Sequence, residues 1–211
     1  MRRFLALALS ALFISISGAH ARTNKPTPDQ NNVFGMEFGI SLETAKSLGL
    51  VASFMKEEGG IGWYKVTALP KHPKETDTVL AAFTSDGLQK VVWISEEITG
   101  DAYGIEGKQK FAYYEDIMTE KYGLPSKEIS LKLTGLSLYK DSDQFYQCLA
   151  YEGCGNWSAG WDGSFGIVIL RLASTGSRGT GWIQITYEGP KWGAAVDALK
   201  SKQREQDRSA F

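Results

Sequence analysis

Cysteine and histidine are scarce in this chain, which limits the chemistry that it can perform. The 211 residues include two cysteines and two histidines. His20 lies in an N-terminal segment that we expect to be removed. That leaves His72, in the proline-punctuated turn Leu69-Pro-Lys-His-Pro-Lys, where a surface histidine is favoured over a general base. A zinc site needs about four ligands, so two thiols and one distant imidazole predict no metal site, and we expect no cofactor.

The N-terminus has the pattern of a secretory signal peptide. Arg2 and Arg3 precede an apolar run from Phe4 to Gly18, and Ala19-His-Ala21 supplies the small-x-small site that signal peptidase cuts. The run is too short for a membrane span, and polar residues follow it. A retained N-terminal anchor is the alternative. We therefore expect a periplasmic or secreted protein that is cleaved near Ala21.

The remainder of the chain has neither a strong charge nor another long apolar run. Removing Arg2 and Arg3 leaves 21 of the 23 basic residues against 24 acidic ones, a net charge of −3. This balance offers no basic surface for nucleic acid or for an anionic membrane. No later apolar stretch approaches the roughly 20 residues that cross a bilayer. We therefore predict a soluble mature chain with no membrane span and no nucleic-acid partner.

The mature chain, of about 190 residues, is long enough to bury one substantial core. Residues 22–32 are polar and predict a flexible leader. Residues 33–189 are predicted to form a single domain, which could divide into halves 33–107 and 108–189. Residues 190–211 predict a C-terminal helix with a narrow apolar stripe and a charged tail. A solvated tail is favoured over a partner-binding arm.

Two further helices are indicated by the signals at their ends. Between Gly39 and Gly49, Ser41 can cap a short helix, and Gly49 can take the left-handed conformation that stops it. From Phe111 to Tyr122, aromatic and aliphatic side chains recur on one face, and Gly123 follows the last of them. Each half of the predicted domain therefore begins near a helix.

Short runs of β-branched and aromatic residues predict strands in both halves. A hairpin is indicated where Thr78–Thr84 and Leu88–Ile94 flank Ser85-Asp-Gly87. The other predicted strands are Trp63–Leu69, Ser130–Tyr139, Gln144–Tyr151, Gly166–Leu172 and Gly181–Tyr187. Helices between runs of hairpin-linked strands favour an α+β fold, with an antiparallel sheet and helices packed on one face. The repeated order of elements suggests a loose internal duplication.

The segment Val33-Phe-Gly35, followed by Gly39-Ile-Ser-Leu-Glu-Thr-Ala-Lys-Ser-Leu-Gly49, resembles the opening helix of small envelope modules. Such modules include the small lipoprotein of the outer-membrane barrel-assembly machinery and the β-lactamase inhibitory protein. The resemblance covers residues 33–49 and the element order. It implies helices packed on an antiparallel sheet and a protein-binding role without catalysis. The chain lacks the lipoprotein cysteine, and Leu50 follows the glycine where the family commonly has proline.

Cys148 and Cys154 are predicted to form a disulfide. In one straight strand they would lie about 20 Å apart at roughly 3.3 Å per residue, whereas a disulfide needs Cα atoms within about 7 Å. The bond therefore requires a turn, for which Gly153 is suitably placed. Export and an even cysteine count favour it, and so small a loop should contribute about 2 kcal/mol. A Cys-x-x-Cys redox pair and a cysteine nucleophile fit the spacing and the histidine content less well.

Two tryptophans follow the cysteines in a glycine-rich segment. Trp157 and Trp161 could pack in the core, as large aromatic side chains usually do. Alternatively, a loop fixed by the disulfide could display them together with Tyr151, beside Asp162, as anchors for a protein or glycan partner. Tyr151, Trp157, Trp161 and Asp162 are therefore the candidate binding residues.

Motifs for catalysis are poorly represented. Ser158, Ser164 and Ser177 lack the glycine two places before the serine that a nucleophile elbow needs, and no phosphate-binding loop is present. Glu96, Glu97, Asp101 and Glu106 flank a glycine-rich loop, which leaves a carboxylate-dependent hydrolase of cell-wall polymer as an alternative. We predict a non-enzymatic protein-binding domain, such as a periplasmic inhibitor, an immunity factor or an envelope-assembly accessory. Its expected partner is another envelope protein, and a glycan- or peptide-binding module is a further alternative.

Overall fold

The computed structural model describes residues 29–71, 73–133, 139 and 141–210 of the chain. This part forms the predicted α+β structure, with four α-helices, an eight-stranded antiparallel sheet and a two-stranded sheet. The predicted signal peptide, most of the predicted leader and His72 lie outside the described residues. Among the described helices, none is both long enough and apolar enough to cross a bilayer.

The first half of the large sheet is a meander of four strands that follows a short helix. Its elements are β1 (Asn32–Val33), β2 (Met36–Glu37), α1 (Leu42–Ser47), β3 (Val51–Glu58), β4 (Ile61–Val66), β5 (Thr76–Thr84) and β6 (Gly87–Ser95). β1 and β2 form the two-stranded sheet. The Ser41 hydroxyl accepts a hydrogen bond from the Thr44 N–H at 3.1 Å, and Gly49 has a φ of +69°. The predicted cap and left-handed stop of α1 are therefore confirmed.

β5 and β6 form the predicted hairpin, with Ser85 and Asp86 at its turn. Gly87 has a φ of +81°, and a Cβ at this position would collide with the carbonyl group of Gly39. The chain leading into α1 crosses the hairpin here, since Leu88 N–H donates to the Ile40 carbonyl oxygen at 2.9 Å. Glycine is required at residue 87 by both the backbone conformation and the close approach.

The second half repeats this arrangement with a longer helix. Its elements are α2 (Ile105–Tyr122), β7 (Leu131–Leu133), α3 (Phe145–Ala150), β8 (Asn156–Gly163), β9 (Gly166–Ala173) and β10 (Trp182–Glu188). α2 begins six residues before the predicted start, because Asp101 supplies acceptors for its first N–H groups. It ends at Tyr122 as predicted, and Gly123 follows with a φ of +89°.

The two halves join along one pair of strands. The order across the large sheet is β3-β4-β5-β6-β10-β9-β8-β7, so the last strand of each half lies at the centre. β6 and β10 pair antiparallel, with Trp93 opposite Ile185 and Val91 opposite Tyr187. We call this pairing the seam. It makes a single sheet from strands that each half contributes as a contiguous group.

The main core lies on one face of this sheet. Alternate side chains of a strand share a face, and on this face they include Trp93, Leu170 and Ile185, which are all fully buried. α1 contacts β3, α2 contacts β9 and β10, and α3 contacts β9. These three helices therefore cover the main core.

A C-terminal helix, α4 (Trp192–Ala210), packs against the opposite face. Trp192 is buried with Ile61 and Ala82, and Leu199 packs against the same cluster. The Lys90 ammonium lies 4.7 Å from the centre of the Trp192 ring. Residues 200–209 are exposed along their whole length.

The predicted strand Gln144–Tyr151 is wrong. A short 3-10 turn leads there into α3, in which Phe145, Tyr146, Cys148 and Leu149 are buried. Burial at the first, second, fourth and fifth positions has the period of a helix. The aromatic residues of this segment favoured a strand, but the spacing of its apolar residues is that of a helix.

The segment for whose tryptophans the sequence left open a place in the core or on a displayed loop is strand β8. Trp157, Ala159 and Trp161 alternate along it and face the main core, because Ala159 and Trp161 lie opposite the buried residues Leu170 and Val168 of β9.

Strand β3 was not predicted from the sequence. Of the predicted strand Ser130–Tyr139, Leu131–Leu133 is a strand, and residues 134–138 lie outside the described part.

Buried tyrosines should make the fold sensitive to alkali. Burial raises the pKa of Tyr122, Tyr146 and Tyr187 above the ordinary value near 10. Their contribution to stability is complete below pH 10, and it is lost as pH rises, because the unfolded chain then ionises first. We expect the free energy of unfolding in urea to fall between pH 8 and pH 11, by about 1.4 kcal/mol per pH unit for each such group above pH 10.

The matched variant Tyr187→Phe tests the cause. It removes one buried hydroxyl and should reduce the fall between pH 8 and pH 11 by about 1.4 kcal/mol. If the free energy of unfolding of Tyr187→Phe falls as much as that of the unchanged chain, the buried Tyr187 hydroxyl is not a cause of the alkali sensitivity.

Candidate functional site

A cavity of about 690 Å³ lies over the seam, on the face of the sheet that the helices cover. Its floor consists of Trp93 from β6 with Ile185 and Tyr187 from β10. α2 forms one wall, and the opposite wall consists of Phe34 and the turn before β5. Ligand pockets commonly have volumes of about 300–1,000 Å³ and mainly apolar walls. This cavity is therefore our candidate functional site.

Aromatic rings dominate the walls of the cavity. The ring centres of Trp93 and Tyr114 are 5.2 Å apart, and those of Tyr113 and Tyr114 are also 5.2 Å apart. On the other side, Phe34 makes an edge-to-face contact with Tyr187 at 5.5 Å. The Trp93 indole N–H donates to the Thr76 hydroxyl at 2.8 Å, which fixes the orientation of the floor.

Two residues in this wall have an unfavourable backbone conformation. Phe34 has a φ of +53° and Glu75 a φ of +56°, and within the described part they are the two residues other than glycine with positive φ. Both line the cavity. Left-handed conformations cost residues with a Cβ about 1–2 kcal/mol, and such strain is concentrated at functional sites. Keeping these two side chains at the cavity therefore has an energetic cost.

A group of three charges lies at the rim. The Lys110 ammonium is 3.2 Å from the Glu75 carboxylate and 3.4 Å from the Glu106 carboxylate. Burial lowers the pKa of Lys110, but the hydrogen bonds and charges of the two carboxylates outweigh it, and the net result is a raised pKa. Lys110 therefore stays protonated well above neutral pH.

Tyr114 supplies a hydroxyl at the cavity. Partial burial, and then the negative charge of Glu75, raise its pKa to about 12. Within the described part of the chain this hydroxyl has no hydrogen-bond partner. It is therefore a neutral donor that a bound molecule could use.

The disulfide that we predicted is present, between α3 and the start of β8. The Cα atoms of Cys148 and Cys154 are 5.1 Å apart, and both residues are buried. The helix and the tight turn through Gly153 bring them together. Groups of three or more residues that could hold a metal ion are absent from the part of the chain that the structure describes.

The four candidate binding residues are not presented together. Trp161 is only 1% exposed and donates its indole N–H to the Gly123 carbonyl oxygen at 2.9 Å, so it belongs to the core. Trp157 is partly buried, with its ring 5.8 Å from that of Phe145. Tyr151 and Asp162 are exposed. Both tryptophans lie on a strand rather than on a loop, and Trp161 is buried, whereas a binding role for Tyr151, Trp157 and Asp162 stays a prediction.

The four acids of the hydrolase alternative have different environments. Asp101 accepts hydrogen bonds from the Ile105 and Gly107 N–H groups and from the Tyr146 hydroxyl, at 2.7–2.9 Å. Its carboxylate therefore holds the start of α2 and joins it to α3. Glu106 binds Lys110, and Glu96 and Glu97 are exposed.

Sequence reasoning missed the cavity because its residues come from distant parts of the chain. Phe34, Trp93, Tyr114 and Tyr187 meet only when β6 pairs with β10. One local signal was present in α2, where the aromatic residue Tyr113 lies next to the apolar face that the sequence predicts. A second apolar surface on a helix indicates a binding face.

No family model matches this chain, and neither a curated protein nor a solved structure is similar enough to count as a match. The resemblance of residues 33–49 to small envelope modules therefore stays a prediction.

Replacing Glu75 should reveal the backbone strain. Glycine adopts a positive φ at little cost, so we expect Glu75→Gly to be more stable than Glu75→Ala by about 1 kcal/mol. Both variants lose the contact with Lys110, so the difference between their free energies of unfolding reports the cost of the backbone conformation. At the exposed helical residue Glu120, the same pair should show the opposite order. Urea unfolding measures the stability difference between the glycine and the alanine variant at each position. If this difference has the same sign at residues 75 and 120, the structure would not store backbone strain at Glu75.

Replacing Asp101 should affect folding. An amide cannot accept all three hydrogen bonds, so we expect Asp101→Asn to lower the free energy of unfolding by about 2 kcal/mol. The exposed residue Glu97 provides the control, because Glu97→Gln should change stability by less than about 0.5 kcal/mol. A fully stable Asp101→Asn protein would refute the structural role and favour a catalytic one.

Proposed function

We propose that this chain is a non-enzymatic binding domain of the cell envelope, and that the cavity over the seam receives an apolar side chain of a protein partner. The observation that carries the proposal is the continuity of the cavity with an exposed apolar surface. Tyr113 and Ile117 line the cavity and are 63% and 39% exposed. Ile105, on the same helix, is 60% exposed.

This continuity favours a protein over an enclosed small molecule. A small ligand is usually surrounded on most sides, whereas protein partners combine a pocket for an anchoring side chain with apolar area around it. Here the aromatic floor of Trp93 and Tyr187 supplies the pocket, and the exposed part of α2 supplies the surrounding area. Tyr113 lies at the boundary between the pocket and this surrounding area, and tyrosine is a common residue in protein interfaces.

The ionisable groups at the cavity support binding rather than catalysis. A general acid or base works best when its pKa lies near the working pH. The pKa of Tyr114 is raised to about 12, and that of Lys110 is raised as well. Both groups therefore keep their protons at neutral pH and can act as fixed donors.

The disulfide supports a location outside the cytoplasm. Disulfides persist in oxidising compartments such as the periplasm, and Cys148 and Cys154 are bonded in this fold. This agrees with the signal peptide that the sequence predicts. An inhibitor, an immunity factor or an envelope-assembly accessory would each use a binding face of this kind.

The binding face can be tested by affinity capture. The mature chain is immobilised, exposed to an envelope extract of the source organism, and the retained proteins are identified by mass spectrometry. We expect Ile117→Glu to reduce retention of the specific partner at least tenfold, because a carboxylate would be buried in the apolar interface. Ile117 is exposed, so the variant should keep the unfolding midpoint of the unchanged chain.

Tyr151→Ala is the matched control. Tyr151 is 45% exposed, at the disulfide and away from the cavity lining, so this variant should retain the partner. Loss of the partner with Tyr151→Ala and full retention with Ile117→Glu would move the site to the disulfide and refute the proposal.

A further inference from the structure

The ion-paired group at the rim of the cavity contains more carboxylates than ammonium groups. Lys110 is shared by Glu75 and Glu106, so two carboxylates face one ammonium group. A carboxylate can accept about four hydrogen bonds, and one ammonium donates three in total. The group therefore has acceptor capacity left for a second cation. Glu75 and Glu106 are 43% and 52% exposed, so a partner can reach them.

The negative charge acts inside the cavity as well as at its rim. The charge of Glu75 is a cause, after burial, of the raised pKa of Tyr114. A charge that opposes formation of a phenolate favours a cation at the same point. Lys74 also lines the cavity and is exposed, but within the described residues its ammonium forms no ion pair with Glu75 or Glu106.

The walls suit a cation that carries an apolar stem. Tyr113 and Tyr114 form a pair of rings beside the charged rim, and the buried Trp93 packs against Tyr114. Tyrosine faces attract cations, most strongly where water is excluded. Ile117 supplies exposed apolar surface on which the methylene groups of a lysine or arginine side chain can pack.

From this arrangement we propose that the partner places a basic side chain, lysine or arginine, at the cavity, with its stem against α2 and its charge beside Glu75. The inference rests on the proposed function and specifies the chemistry of the partner. The strained conformation of Glu75 fits this role, because its carboxylate is held at the rim in spite of the backbone cost.

Three small probes of equal ring size test the charge preference on the mature chain. Benzylammonium, benzyl alcohol and phenylacetate are titrated separately, and binding is followed by the NMR signal of the Trp93 indole N–H. We expect benzylammonium to bind 3- to 10-fold more tightly than benzyl alcohol, and phenylacetate to bind most weakly. Equal or reversed affinities would overturn the inference, while binding of benzyl alcohol alone would still support the cavity as an apolar site.

Charge-neutralising variants identify the group responsible. Glu75→Gln and Glu106→Gln should reduce the preference for benzylammonium over benzyl alcohol to less than twofold, and Lys74→Gln should increase it. Glu120→Gln, an exposed residue of α2 outside the cavity lining, should leave the preference unchanged. If Glu75→Gln still prefers benzylammonium over benzyl alcohol to the same extent, the Glu75 carboxylate is not the group that binds the cation, and the inference is overturned. If none of the probes shifts the Trp93 signal, the cavity is not a binding site and the proposed function fails with the inference.

Discussion

The pairing of β6 with β10 is the interaction on which the rest of the structure depends. It places the last strands of two four-stranded groups side by side and makes one sheet from them. The pairing sets Trp93 opposite Ile185, so that a large aromatic and a branched aliphatic side chain cover the centre of the sheet. Because the register of a strand fixes which side chains share a face, this one pairing decides the composition of the main core.

The cavity follows from the unequal helices of the two halves. α1 has six residues and α2 has eighteen, so the first half covers less of its sheet than the second. The gap that remains between α2 and the segment that carries Phe34 is the cavity. Its floor residues are buried by their neighbours, whereas Tyr113 and Ile117 at its wall stay exposed and form an apolar, partly aromatic surface.

Local signals were reliable where neighbouring residues decide the structure. Ser41, Gly49 and Gly87 act through backbone hydrogen bonds and positive φ, which depend on a few adjacent residues. The predictions failed where tertiary contacts decide. Phe145–Ala150 is a helix because its buried side chains meet β9 and the Asp101 carboxylate before α2, and Asn156–Gly163 is a strand because β9 pairs with it.

The sequence by itself determined the α+β class, the hairpin of β5 and β6, the caps of α1 and the bond between Cys148 and Cys154. These features depend on periodicity, turn residues and short chain separations. Only the tertiary structure decided that Trp161 is buried and that the rings and charges around Glu75 form one site. Such a site joins residues about 150 positions apart along the chain, and pairing between distant strands, which local sequence does not specify, brings them together.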